Sequence, residues 1–424
     1  MADNKIIAVV VAVIIVVAGV GAYFLLNNGD DSEYRSSNLE GRLLIMGNAN
    51  NDDYLDEQDI DKLNEIIEQN LDWKTDYPLA DANCDGSITE ADVEMVQRMV
   101  NREAMTINYA YLSSGELVTS SISYPIKNVI AVGDNVVLGL KTLGAESKIV
   151  GIALSDSDDP LYSDVSSITS VRGSSTTVPS ISLISTVADA DTVLVTSTSS
   201  RYVTNEAEVV ASGVSVVRFN VDGGESGLES MMGTLTMGYL LGLEDEANEY
   251  VRFCDSILSD VADKVSSVTT KVTCIATNRT SNVSGVSSEY YQIPVLAGGV
   301  NVITADTTYT SWTAGMDWLY AYDFDYIIHS TSLGYGQVDA AAEYSTYSTN
   351  FTNLQAYEDG NFVLINANVP APIRVAYIAA IFYPDIFGED YGEKLHQEFI
   401  DTFIGNLSGS YDVTTDGTFV VTSH

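Results

Sequence analysis

Two stretches place oxygen-bearing side chains at the spacing a hard cation requires. Asp81, Asn83, Asp85, Ser87 and Asp92 stand at positions 1, 3, 5, 7 and 12 of a loop, with Gly86 at position 6 and Ile88 at position 8. Calcium takes about six to eight oxygens, and a glycine lets the chain wrap sharply around the ion. Starting 33 residues earlier, Asn48, Asn50, Asp52, Tyr54 and Asp59 fill the same positions, with Asp53 where the second loop has glycine. Neutral Asn48 and Asn50 lower the ligand charge, so two calcium sites are expected, the first weaker. Each loop runs into an amphipathic stripe, Ile60, Leu63, Ile66 and Ile67 in one copy and Val93, Val96, Met99 and Val100 in the other. Cys84 occupies a loop position that gives no side-chain ligand.

A second set of groups suits an organic or chelate ligand. From residue 105 onward there are six arginines, and Arg172, Arg201 and Arg279 fall in loops. An arginine in so acidic a chain offers bidentate contacts to a carboxylate or an anionic chelate, or else an internal salt bridge. Asp134, Asn135 and Tyr202 lie at expected strand ends of the first half, and Tyr290, Tyr291, Trp312, His329 and Tyr335 at those of the second. Phenols suit ferric iron and aromatic faces suit a macrocycle, although a tyrosine also serves as half-buried packing. His329 follows an apolar strand, a position open to axial ligation or to a structural hydrogen bond. Cys254 and Cys274 read as core thiols. The sequence has no G-x-S-x-G, P-loop, H-E-x-x-H or G-x-G-x-x-G spacing, so no enzyme is expected.

These groups need a scaffold, and the pattern supplies one. β-rich runs at 128–132, 149–153, 192–196, 214–219, 272–276, 300–303, 326–329 and 362–365 alternate with helical stretches such as 135–143 and 377–381. That is the grammar of buried parallel strands with crossover helices. The longest helical pattern, 244–267, has its acids first and Lys264 near its end. The expected fold is therefore α/β. Two Rossmann-like lobes, 105–242 and 268–424, are joined by one long helix, 243–267, with a ligand cleft at the strand ends. Ahead of them stands a small all-α module of paired calcium loops, residues 41–103, and a β-rich extension, 411–421, closes the chain.

Ile6–Leu26 is 21 residues without a charge, apolar but for the Tyr23 hydroxyl, long enough to span a bilayer and longer than a usual secretory core. Lys5 precedes it and Asp30, Asp31 and Glu33 follow, so the expectation is a single-pass anchor (1–40, with its linker), N-terminus in the cytoplasm and bulk outside. Sequons at Asn278, Asn282, Asn350 and Asn406 fit an exposed ectodomain. With 19 Lys+Arg against 59 Asp+Glu, a net charge of −40 excludes nucleic acid as a partner. Three Cys and three His exclude a disulfide scaffold and a His-rich zinc site.

Two resemblances follow. The 33-residue repeat, Asp at position 12 and the helix after each loop resemble a type I dockerin, an EF-hand-like module. The resemblance implies calcium binding and a cohesin-like partner, with a plain spacer as the alternative. Ordered blocks from Ser123–Val136 and Leu140–Ile152 through Ile184–Val195, Met237–Ala247, Ala297–Val302 and Tyr322–Ile328 to Ala371–Phe387 resemble class III solute-binding proteins of ABC importers. That resemblance implies capture of a ferric siderophore, haem or cobalamin and delivery to a permease. The first-lobe stretch Val178–Ser185 lacks the surface Glu such proteins often offer to permease arginines. A surface scaffold assembled through the calcium module is the competing function.

Overall fold

The computed structural model describes residues 43–113, 116–199, 202–221, 229–278, 282–286, 288–303, 310–311 and 317–423. The expected span Ile6–Leu26 lies outside them. Among the described residues no helix is long and apolar enough to cross a membrane.

The N-terminal module contains α1 (Glu57–Gln69) and α2 (Glu90–Val100), each starting where a calcium-type loop ends. Asp56 caps α1 and Thr89 caps α2, and in each case the loop's position-12 aspartate completes a capping box. Leu63, Ile66 and Val96 bury the inner faces together with Ala80 and Ala82. The module is not a separate body. Residues 44–46 run along the hairpin β1 (Met105–Ser113) and β2 (Glu116–Tyr124), with Ala110 N donating to Leu44 O and Met46 N to Asn108 O. Leu43, Ile45 and Met99 join one hydrophobic core with Tyr109, Val129 and Tyr239.

Lobe 1 holds a parallel sheet of β3 (Asn128–Val132), β4 (Ile149–Ala153), β5 (Thr192–Ser197) and β6 (Ser215–Phe219) in the order β4-β3-β5-β6. Alternation along the strands feeds two clusters. Val129, Ala131, Val193 and Val195 enter the main core, while Ile130, Val132 and Leu194 face the opposite layer. Helix α3 (Asp134–Thr142) follows β3 directly, and α4 (Glu229–Leu241) leads into the connecting helix α5 (Glu244–Ser266). Lobe 2 centres on parallel β7 (Thr273–Asn278), β8 (Tyr326–Thr331) and β9 (Phe362–Asn366). Val300–Asn301 pairs parallel to the other side of β7. Helices α6 (Glu289–Leu296), α7 (Ala371–Phe382) and α8 (Tyr391–Phe403) cover it.

Two lobes and a single long connecting helix were legible in the sequence. The hairpin β1–β2 was not, and the expected β-rich tail needs correction. Of 411–421 only β10 (Val420–Val421) is a strand. The rest is held by turns and by Gln397 of α8, which donates to Tyr411 O and accepts from Val413 N, so its backbone groups are satisfied without a ladder.

Candidate functional site

Both sheets aim the C-terminal ends of their strands at one cavity of about 600 Å³. In lobe 1 the chain order reverses between β3 and β5, the place where open α/β sheets bind ligands. From that lobe come Gly133, Asp134 and Asn135 after β3, Ser155 after β4, and Ser199 and Tyr202 after β5. Ser230 and Thr234 of α4 and Tyr250 of α5 form the wall between the lobes. Lobe 2 contributes Ser288, Glu289 and Tyr290 at the start of α6, Ser332 after β8, and residues 367–371 and Arg374 after β9. Asp134 Oδ1 accepts from Ser155 N at 2.8 Å and so ties the β3 and β4 ends together.

Arg374 is the group the sequence reasoning passed over. It is the one charge in α7, whose other side chains are apolar apart from the Tyr377 hydroxyl, and it is only 3% exposed. Its Nε donates to Val369 O at 2.7 Å, and Nη2 pairs with Glu289. Nη1 is buried and has no partner. A charge inside an otherwise apolar helix was the available signal, since burial of arginine demands partners.

The expected ligand residues separate. Asp134, Asn135, Tyr202 and Tyr290 line the cavity. Arg201, Arg279 and Trp312 lie outside the described residues. Arg172 is exposed and donates to the Leu154 and Ser155 carbonyls, both at 3.3 Å, so it buttresses a strand end outside the cavity lining. Tyr291 is buried in α6, and burial pushes its phenol up to about 12. Tyr335 is fully buried, with its hydroxyl on His396 Nε2 at 3.3 Å and its N–H on Asp159 Oδ2 at 3.0 Å. His329 also departs from expectation. It is fully buried between Tyr347, Phe351 and Phe362, its Nδ1 lies 2.9 Å from Thr277 Oγ1, and burial lowers its pKa to about 3. Its ring belongs to the outer layer of lobe 2 and does not line the cavity, so axial ligation is corrected to a packing role.

The two N-terminal loops share most of their backbone-to-side-chain bonds. Asp52 N donates to Asn48 Oδ1 and Asn50 Oδ1, as Asp85 N does to Asp81 Oδ1 and Asn83 Oδ1. Tyr54 N bonds to Asp52 as Ser87 N does to Asp85. Asp59 accepts the loop N–H groups of Ala49 and Asn50 and the cap N–H of Asp56, and Asp92 accepts the loop N–H of Asn83 and the cap N–H of Thr89. Asn51 and Cys84 share a left-handed backbone, φ 58° and 57°. The copies diverge at position 1. Asp81 Oδ2 accepts from Gly86 N, whereas Asn48 Nδ2 donates to Leu43 O and Asp52 O. Loop 2 thus has at position 1 a carboxylate, the better donor for a hard cation, where loop 1 has an amide. Its carboxylates are turned onto backbone amides, and among the described residues no three His, Cys, Asp or Glu side chains converge as a metal cluster.

Two α/β lobes on a rigid helix, with a cavity at facing strand ends, define a bilobed solute-binding protein. Residues 129–365 match the periplasmic binding protein family, and the chain belongs to that family. Its members and the solved structures nearby are solute-binding proteins rather than enzymes. The TroA-like periplasmic binding protein FepB from Veillonella parvula is 18% identical, with a TM-score of 0.55 over 74% of this chain and 99% of that one. The molybdate-binding protein MolA from Haemophilus influenzae is 14% identical, with a TM-score of 0.54 over 71% and 97%. CeuE from Helicobacter pylori, crystallised with Ni(II), is 13% identical, with a TM-score of 0.51 over 70% and 96%. At these identities the likeness shows the fold. No curated protein matches the sequence.

Proposed function

We propose that this protein captures a metal-containing ligand, an iron complex, haem or a corrinoid, in the interlobe cavity and delivers it to an ABC permease. The observation that carries the reading is a cavity walled by the strand ends of both lobes. Neighbours of the same fold crystallised with molybdate and with Ni(II) support a metal-bearing cargo. The segment Ile6–Leu26 would anchor the chain, with the lobes outside the membrane. Titration of the full chain with ferric chelates, haem and a corrinoid should give one-to-one binding to at least one. Silence across the set would count against the reading.

The module would bind calcium through Asp81, Asn83, Asp85, Ser87 and Asp92, and more weakly through Asn48, Asn50, Asp52, Tyr54 and Asp59. The repeated loop bonds support this. As a second reading, the outward faces of α1 and α2 carry exposed Asp61, Glu94 and Arg98 and leave room for a cohesin-type partner. Retention on immobilised cohesin that EDTA abolishes would favour that scaffold role.

A further inference from the structure

Asn-x-Ser/Thr triplets begin at Asn278, Asn282, Asn350 and Asn406. An N-linked saccharide is bulky and hydrophilic, so the folded chain can carry one only where the asparagine amide opens to solvent. The fold treats the four triplets unequally. Asn278 ends β7 and is only 4% exposed, so a saccharide on its amide would have to displace packed neighbours. Asn282 lies inside the sheet, paired antiparallel with Asn278 on one side and with Ser311 on the other. The hydroxyl of its triplet belongs to Ser284, which is buried. Asn406 spends its amide on the other lobe. Its Nδ2 donates to Pro160 O at 3.1 Å and to Ser163 Oγ at 3.0 Å. A sugar bonded to that nitrogen would take away a donor hydrogen and force bulk into the contact between the lobes.

The Asn350 triplet is built the other way round. The helix Ala340–Ser348 passes into a short turn, Thr349–Phe351, on the outer layer of lobe 2. Phe351, the middle residue, is fully buried against His329 and Phe362. Its neighbours Asn350 and Thr352 are both exposed. The aromatic ring thus pins the turn from inside while the amide and the hydroxyl of the triplet stand on the solvent side. None of these three residues lines the interlobe cavity, so a saccharide here leaves the ligand path open.

We infer that Asn350 is the N-glycosylation site of the folded protein, and that Asn278, Asn282 and Asn406 stay bare. The co-substrate is a lipid-phosphate-linked saccharide. A bond forms from Asn350 Nδ2 to the anomeric carbon, and the anomeric C–O bond to phosphate breaks. The lipid phosphate leaves with the bonding pair and Nδ2 gives up one proton, so nothing is oxidised or reduced. The inference rests on the extracytoplasmic placement of the chain and is independent of which cargo it carries.

The test is peptide mapping by mass spectrometry of the full chain from its own host, with intact cells labelled in parallel by a membrane-impermeant amine reagent. A saccharide mass is expected on the peptide that holds Asn350. It should be lost in Asn350→Gln and in Thr352→Ala, and kept in Thr352→Ser, which retains the hydroxyl. The mapping of the unaltered chain stands by itself if a variant fails to fold. A saccharide at Asn278, Asn282 or Asn406 would overturn the selection by the fold. A bare Asn350 in a chain that the reagent labels would overturn the inference and leave the placement standing. A bare Asn350 in a chain that the reagent does not reach would overturn both.

Discussion

His329 and His396 are both fully buried, one against Phe362 and the other against Phe419, and burial lowers each pKa to about 3. An unfolded histidine titrates near about 6.5. Below that pH the unfolded chain binds the proton and the folded one does not, so the stability these neutral rings contribute is present above about 6.5 and is lost as pH falls toward 3. Each should add about 1.4 kcal/mol per pH unit to the slope between those limits. His329→Phe keeps a ring in an aromatic niche and removes an orphan Nε2, so denaturation from pH 7 to 5 should show a shallower loss than wild type. An identical slope would show that His329 charges in the fold. At the loop proposed to bind calcium more weakly, Asn48→Asp replaces an amide that donates to Leu43 O and Asp52 O by a carboxylate. Calcium titration should then show the weaker event tightened by about tenfold or more, and no change would remove loop 1 from the metal account. The sequence made Asp134, Asn135, Tyr202 and Tyr290 legible because they follow strand ends. It hid Arg374, which sits in a run that reads as apolar core, and it misplaced His329, because strand position alone does not say which face of the sheet a residue takes.

At the scale of elements, α4 touches both functional regions. Ser230 and Thr234 line the cavity, while Thr236 Oγ1 accepts from Leu44 N at 3.1 Å and Tyr239 hydroxyl donates to Met99 O at 3.4 Å. Arg102 of the module pairs with Glu244 at the start of α5, at 3.2 Å. The module therefore braces a wall of the cavity. With calcium bound as proposed, chelating it should lower the melting temperature of the whole described unit in one transition and raise amide exchange in α4. A separate low-temperature transition confined to the module would contradict this. The parallel strands were legible because buried β-branched runs of about five residues have few other uses. The hairpin β1–β2 was not, since β1 reads as a mixed polar and aromatic run (MTINYAYLS) and its burial is set by residues 44–46 and Phe219, far away in sequence.

At the scale of the molecule, α5 spans 23 residues between the lobes. The lobes also touch directly, through Asp159 and Tyr335 N at 3.0 Å and through Asn406 Nδ2 to Ser163 Oγ at 3.0 Å. A helix with no break and polar clasps from the 159–163 segment onto lobe 2 allow little hinge motion, so X-ray scattering with and without ligand should give the same radius of gyration within error. A clear contraction would place a hinge where none is seen. The net charge of −40 surrounds a cavity whose one buried cation is Arg374. The central claim is that this cavity holds the cargo, and native mass spectrometry of the full chain from its own host tests it most directly. The account predicts a one-to-one adduct in the native protein that is weakened or lost in Ser332→Trp, whose indole would obstruct the cavity from an exposed position. An adduct undiminished in the variant, or no adduct in either, would contradict it.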